Sequence, residues 1–522
     1  MSRGEWKSNT GFLLAAIGSA VGLGNIWRFP YVAYENGGGA FLIPYVIALF
    51  TAGIPILMLE LSLGNKNRAS APLAFAKIDT KWEWLGWWSV TFVMFGIVLY
   101  YIVVIGWCVN YIVFAAFQSW GNDTNSFFFN KFLGVSGGVW DLKGLNPFIV
   151  ASVFLVWFVN WLITYNGVQK GIERSVKFMM PVLFVITIII IGWAVSLEGA
   201  GNGIRLYTTP DFSKLTNIKV WIAAYGQIFF SLSLGFGIMI AYASYLPTKT
   251  NIFKNSLIVA FSNSLYEVSA GFGVFSVLGY MALKQGIPIK EVVTSGIGLA
   301  FVAYPKAISL LPFGQVFGIL FFFLLTIAGI SSSISIIEAF TSAVIDKFGV
   351  SRRRVITVTC ILGFMGSLLF TSHAGLYWLD IVDHFLNQYG LVTVGILEAL
   401  ILGWLYKTRR LKDHIAENLG LSGNRHRIFK YIVLQLWNYC IKFITPVALG
   451  IALIYSLVGE FQKPYENYPV SGIIILGIGW LLVTHVVAFG LSGLPWKQNG
   501  RDQEPGVGGQ KMDRPVTGIF DS

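Results

Sequence analysis

Charge is scarce in this chain: Asp, Glu, Lys and Arg together make up 12% of 522 residues, about half the roughly 25% usual in soluble domains. With 55% of residues hydrophobic and 16% aromatic, a soluble fold of this length is excluded, because it could not hide so much apolar surface. Cysteine is nearly absent. Cys108, Cys360 and Cys440 each fall inside an apolar stretch, which excludes a disulfide framework or thiolate cluster and suits small buried apolar residues. The five histidines are scattered, and no nucleophile–base pair or metal cluster stands out, so an enzyme is not expected. No cleavable signal peptide is visible either: the first apolar run begins at Gly11 and runs on through polar-flanked motifs, so the first span is expected in the mature protein.

What the chain has instead is a series of apolar stretches of about 20 residues, the length that crosses a bilayer as a helix. Twelve are expected, near 11–35, 40–64, 86–118, 147–164, 173–196, 219–246, 254–283, 315–346, 353–371, 376–406, 430–458 and 471–492. All are read as helices, since irregular backbone cannot face lipid. The expected class is therefore an all-α integral membrane protein. Segment 284–314, with a moderately apolar stretch from Gly296 to Tyr304 before Pro305, reads as a re-entrant or capping hairpin. After Pro495 the chain turns polar and rich in Gly and Pro, and a disordered cytoplasmic tail over 493–522 is expected.

The net charge of +12 does not gather on one face, as a nucleic-acid binder requires. With a cytoplasmic N-terminus, roughly 26 of the 37 Lys and Arg fall on the inner side and about nine outside, as the positive-inside rule asks. The C-terminus is then cytoplasmic too. Arg352, Arg353 and Arg354, and Lys407, Arg409, Arg410 and Lys412, read mainly as topology, with anionic lipid a lesser partner.

Spans one and six share an oddity. Span one holds Gly18-Ser-Ala-Val-Gly-Leu-Gly-Asn25 and span six Ser231-Leu-Ser-Leu-Gly-Phe-Gly237, small residues where a spanning helix should be most regular. Interrupted helices five spans apart point to an inverted repeat, 11–196 and 219–406, with a midplane site. Close helix packing is the competing reading, and span six alone leaves it open. Asn25, Trp27, Arg28 and Pro30 after the first set of glycines favour a site. A broken helix frees carbonyl oxygens for a hard cation and N–H groups for an anion.

These blocks, with Trp6, Gly22 to Tyr31, Glu35 to Phe41, Gln227 to Tyr245, Asn263 to Glu267, Ala328 to Ser333 and Leu379 to Asp383, resemble the neurotransmitter:sodium symporter family, in particular its bacterial amino-acid transporters. The resemblance covers the first ten spans; 407–492 matches only as two apolar helices. It implies sodium-coupled symport by alternating access. One sodium site would use the Ala20 carbonyl, Asn25, Asn263, Ser231 and the substrate carboxylate. The second would use the carbonyls of Gly18, Val21 and Ala328 with the hydroxyls of Ser331 and Ser332; for a serine triplet alone, bonding back to its own helix is the rival reading.

By the same resemblance, the substrate carboxylate meets Leu23, Gly24 and Tyr101, and its amine meets carbonyls near Ala20, Phe230 and Ser233. Gly22 stands where monoamine carriers of the family place an aspartate, which implies an amino-acid substrate. Ile97, Val104, Phe230, Ser233, Phe236, Ser332 and Ile336 would line an uncharged side-chain pocket, so a neutral, apolar amino acid is expected. Each of these residues taken singly reads equally well as helix packing.

Arg28 would pair with Asp383 as an outer gate, with Phe236 and Tyr101 as a lid beneath. Arg3 and Trp6 would form an inner gate, Arg3 pairing with Asp346 near Tyr245; the plainer reading of Arg3 is an inner-side charge at a frayed terminus. Glu60, assisted by Glu398, would support the break in span six. Glu267, near Tyr45 and Gln227, occupies a position that is serine in chloride-dependent relatives. Its carboxylate could replace the chloride, so no chloride requirement is expected. Desolvation opposes a buried charge once sodium leaves, which suggests proton counter-transport. A channel and a non-transporting amino-acid sensor are the alternatives. The short 119–146 loop without a cysteine pair points to the plasma membrane of a prokaryote, with Asn122-Asp-Thr124 an incidental glycosylation match.

Overall fold

A computed structural model describes residues 4–293, 296–406, 408–419 and 424–497. Arg3, Lys407 and most of the polar tail lie outside the described residues. Those described form helices without a named strand. Ten helices are long and apolar enough to cross a membrane, from Gly38–Asn67 to Val470–Gly493. An eleventh span is the bent pair Asn9–Ala20 and Leu23–Glu35, whose axes diverge by 52°. The expected sixth span is broken into Ile218–Ser231 and Ile238–Ala243, each too short to cross alone, which accounts for the difference from twelve.

The breaks follow from local backbone preference. In span one, Val21 and Gly22 take extended conformations (ψ 95° and −167°), which end one helix and start the next. In span six, Ser233, Gly235 and Gly237 all have positive φ, at 53°, 74° and 67°. Glycine adopts that region freely, and serine seldom does.

Spans three and eight form the centre: 83% and 78% of their most apolar stretches are buried, against 22% and 33% for spans eleven and twelve. The outer spans turn large apolar side chains outward, Phe148, Phe178 and Val486 among them, as lipid contact requires. Within 284–314 an apolar helix runs over Gly296–Leu310. Its Phe301 is fully buried and stacks on Phe128 at 5.2 Å, while Tyr111 Oη donates to the Phe301 carbonyl at 3.2 Å. This places the helix as a cap over span three. The three cysteines are free and buried.

Candidate functional site

The two breaks meet around a cavity of about 70 Å³, several times the roughly 10–15 Å³ that one water needs. Ala20, Gly22, Leu23, Gly24 and Asn25 of span one form one wall, and Phe230, Ser231, Ser233 and Phe236 of span six another. Ile97 and Tyr101 come from span three, and Ser332 and Ile336 from span eight. Val104, expected here, is buried but outside the wall; it lies one turn beyond Tyr101, whose hydroxyl accepts the Leu23 N–H at 3.4 Å and closes the cavity at that level. Ser19 and Ser335, which the sequence did not single out, also line the cavity, their hydroxyls 2.8 Å apart.

The residues expected around the first sodium converge. Asn25 Nδ2 donates to Asn263 Oδ1 at 2.8 Å, and Asn263 Nδ2 to Ser231 Oγ at 2.8 Å. Asn25 Oδ1 accepts the Gly22 N–H at 2.9 Å, a reach-back of the kind that starts helices. An amide oxygen has two lone pairs, so both Oδ1 atoms keep one for a cation. At the second expected site, Ser331 Oγ donates to the Gly18 carbonyl at 2.8 Å and the Ala328 carbonyl at 2.9 Å. Ser332 Oγ reaches the same two carbonyls, and that of Ser19, at 3.2–3.3 Å. The serines therefore bond back to their own helix and also across to span one. Ser333 points elsewhere, to Asn160 Oδ1 at 2.8 Å. Val21 is buried beside this cluster in the chain, but no hydrogen bond joins its carbonyl to the two serines.

Glu267 is completely buried and collects four donors. Tyr45 and Ser231 (3.4 Å) donate to Oε1; Gln227 (3.0 Å) and Asn25 (3.3 Å) donate to Oε2. Glu60, also fully buried, accepts the Gly235 N–H at 2.8 Å, which gives one freed N–H of span six a partner. Glu398 is buried nearby without a hydrogen-bond partner among the described residues.

At one end of the cavity the expected gate is arranged differently. Arg28 lies over the ring of Phe230, 4.6 Å from its centroid. Asp383 accepts from Tyr100 at 2.6 Å and Asn387 at 2.8 Å. The ring beneath Arg28 is thus Phe230; Phe236 lines the cavity and meets Phe92 edge-on at 6.0 Å. Phe230 lies in the last turn of Ile218–Ser231 and Phe236 in the break beyond it, so no helical period relates the directions of the two rings.

At the other end Trp6 is buried, its Nε1–H donating to the Tyr242 carbonyl at 2.8 Å and its N–H to the Tyr245 carbonyl at 3.2 Å. Asp346 accepts the Ser70 N–H at 2.9 Å; its pairing with Arg3 lies outside the described residues. Sequence reasoning missed Glu338 here. Buried in span eight, it accepts from Tyr245 Oη at 2.7 Å and from both Nη atoms of Arg352. An acid in an otherwise apolar span was the available signal.

A family model described as the sodium:neurotransmitter symporter family matches residues 3–127 and 118–492. An uncharacterized sodium-dependent transporter of Methanocaldococcus jannaschii is 44% identical over 475 residues, 91% of this chain and 94% of the relative. The human sodium- and chloride-dependent neutral and basic amino acid transporter B(0+) is 33% identical, covering 93% and 84%. The human sodium- and chloride-dependent GABA transporter 2 is 31% identical, covering 92% and 84%.

Proposed function

The chain belongs to the sodium:neurotransmitter symporter family, and on that premise we propose that it couples sodium to the uptake of neutral amino acids through the cavity between spans one and six. The observation that carries this reading is Gly22. A Cβ there would lie 3.0 Å from Tyr101 Oη and 3.1 Å from Ser332 Oγ, so glycine keeps open a space bordered by a backbone N–H and two hydroxyls. That space suits a substrate carboxylate. The rest of the wall carries no charge except Asp383 at the far end, which favours an uncharged side chain.

Two sodium ions are cargo in this proposal. The first sits among Ala20, Asn25, Ser231 and Asn263 and shares the substrate carboxylate; the second sits among Gly18, Val21, Ala328, Ser331 and Ser332. Both sets join span one to a neighbouring span, so ion and substrate settle the same broken helix. Glu267 replaces a chloride: four donors surround a carboxylate already fixed there, and an acceptor-only group is what such a shell holds. When sodium departs, a buried and uncompensated carboxylate is costly, and proton return at Glu267 relieves it. Arg28 and Asp383 pair when the outer side closes, with Phe230 and Tyr101 beneath; Trp6, Tyr245 and Asp346 belong to the inner gate.

Reconstitution into proteoliposomes tests the proposal. An inward sodium gradient should accumulate a labelled neutral amino acid above equilibrium, and a competition panel should rank neutral amino acids above charged ones. Sodium-dependent binding without accumulation would leave a sensor, and current far above coupled flux a channel.

A further inference from the structure

The link between spans two and three and the end of span ten line a second, open recess of about 380 Å³, sharing no wall residue with the first. Lys81 and Arg410 bring cations to its wall, and Trp82 and Tyr406 bring rings. Lys81 Nζ sits 5.6 Å from the Trp82 centroid and Arg410 Cζ 6.0 Å from that of Tyr406. Asp79 is the one carboxylate in the wall. It is already engaged by Lys81, through Nζ at 2.9 Å and the backbone N–H at 3.1 Å. Among the described residues no carboxylate lies within ion-pair distance of Arg410; Lys66, whose Nζ donates to the Arg410 carbonyl at 2.6 Å, lies outside the wall and is offset by Asp413 and Glu417.

The surroundings of this cavity are apolar and open. Trp404 and Leu405, in the last turn of span ten, are 51% and 61% exposed, and Trp404 meets the exposed Phe443 edge-on at 5.2 Å. A cationic recess bordered by outward-facing apolar side chains, at the basic end of a spanning helix, fits an occupant with an anionic head and a hydrocarbon tail. We propose that this cavity binds the phosphate headgroup of an anionic phospholipid. The Arg410 fork takes phosphate oxygens in a bidentate manner, as guanidinium does best. Lys81 supplies a point charge, and Trp404 and Leu405 cover the first methylenes. Basic recesses between spanning helices on the positive side are suited to such headgroups.

The test is a lipid titration of the full chain in detergent, read by native mass spectrometry, with phosphatidylglycerol, phosphatidylcholine and inorganic phosphate as probes. Phosphatidylglycerol should bind in preference to phosphatidylcholine. Taking about fivefold in affinity per elementary charge near an anionic headgroup, Lys81→Gln should weaken binding about fivefold and Lys81→Gln with Arg410→Gln about thirtyfold. Asp79→Asn should strengthen it by about fivefold, a gain that damage to the fold would not produce. The Lys81 side chain is 65% exposed, so that variant does not threaten folding. Equal binding of the two lipids, or unchanged binding in both Lys81 variants, overturns the proposal. Displacement of phosphatidylglycerol by millimolar inorganic phosphate overturns the lipid assignment in favour of a free-anion site.

Discussion

Arg28 stacks its guanidinium on Phe230 at 4.6 Å, and Asp383 is held by Tyr100 and Asn387 instead. Phe230 is part of the cavity wall, so the cation is carried on a ring that borders the cavity. Arg28 is half-buried, so this cation–π contact is worth about 1 kcal/mol; in the proposed mechanism it holds Arg28 until Asp383 comes free of its two donors.

Asp383→Asn keeps a side chain that Tyr100 and Asn387 can still bond but removes the charge that draws Arg28 across. Sodium-dependent substrate binding should stay within about threefold of wild type, while accumulation in proteoliposomes falls at least about tenfold, the equivalent of about 1.4 kcal/mol. Comparing equilibrium binding with uptake checks this. Parallel losses in both would make Asp383 a binding residue and remove its gating role.

Glu267→Ser separates the fixed charge from its four donors. Wild-type uptake should be the same in chloride and in gluconate. The variant should be nearly inactive in gluconate and recover in chloride, because Tyr45, Gln227, Asn25 and Ser231 would then surround a space suited to an anion. A chloride requirement in the wild type, or no recovery in the variant, sinks the substitution of carboxylate for chloride.

How much of this could be read from the sequence depends on whether each feature is local. The spans were legible because apolar length is a property of a continuous stretch. The two breaks were legible because Gly22, Gly235 and Gly237 mark them directly. Partner choice across spans was another matter. The Glu60 partner was not legible in detail: an acid in span two needs donors, but only the fold shows that the Gly235 N–H is one of them. Arg352 looked like an ordinary inner-side charge, and only the turn between spans eight and nine brings it onto Glu338. The same blindness hid Lys347, fully buried 2.6 Å from Glu83. Which of Phe230 and Phe236 lies under Arg28 was not legible, because positive φ at Ser233 and Gly235 between them breaks the period that would relate the two.

Gly22→Ala and Gly24→Ala probe how tightly the first break is packed. Neither position has positive φ, so alanine strains no backbone, and space alone decides. At Gly24 the new Cβ would sit 2.8 Å from Phe230 Cε1, and at Gly22 3.0 Å from Tyr101 Oη. Both variants should fold, with melting temperature within a few degrees of wild type, and both should lose substrate affinity by at least about tenfold, about 1.4 kcal/mol. Isothermal titration at saturating sodium measures it. Unchanged affinity in Gly22→Ala would mean that the carboxylate binds elsewhere.

Glu338 and Arg352 tie together the end of the molecule where Trp6 is buried. Glu338 is wholly buried, while the Arg352 side chain keeps 23% of its exposure, and Arg352 also donates to the Thr164 carbonyl at 3.0 and 3.3 Å. With Tyr245 on the same carboxylate, four spans are joined: four, six, eight and nine. Breaking a buried pair by removing one partner typically costs about 3–5 kcal/mol, because the other charge stays buried; residual exposure of Arg352 puts this case at the lower end. Glu338→Gln should therefore lower the melting temperature by several degrees and speed amide exchange over 241–247, where span six loses its anchor. The double variant Glu338→Gln with Arg352→Gln should be less damaged than the two single effects added together, since it leaves no orphaned cation. Thermal melts of all four proteins in one detergent decide between the readings. Strict additivity would show that the two residues act independently, and would leave this end of span six to other contacts, among them Trp6 on the Tyr242 and Tyr245 carbonyls and Asn65 on those of Leu246 and Pro247.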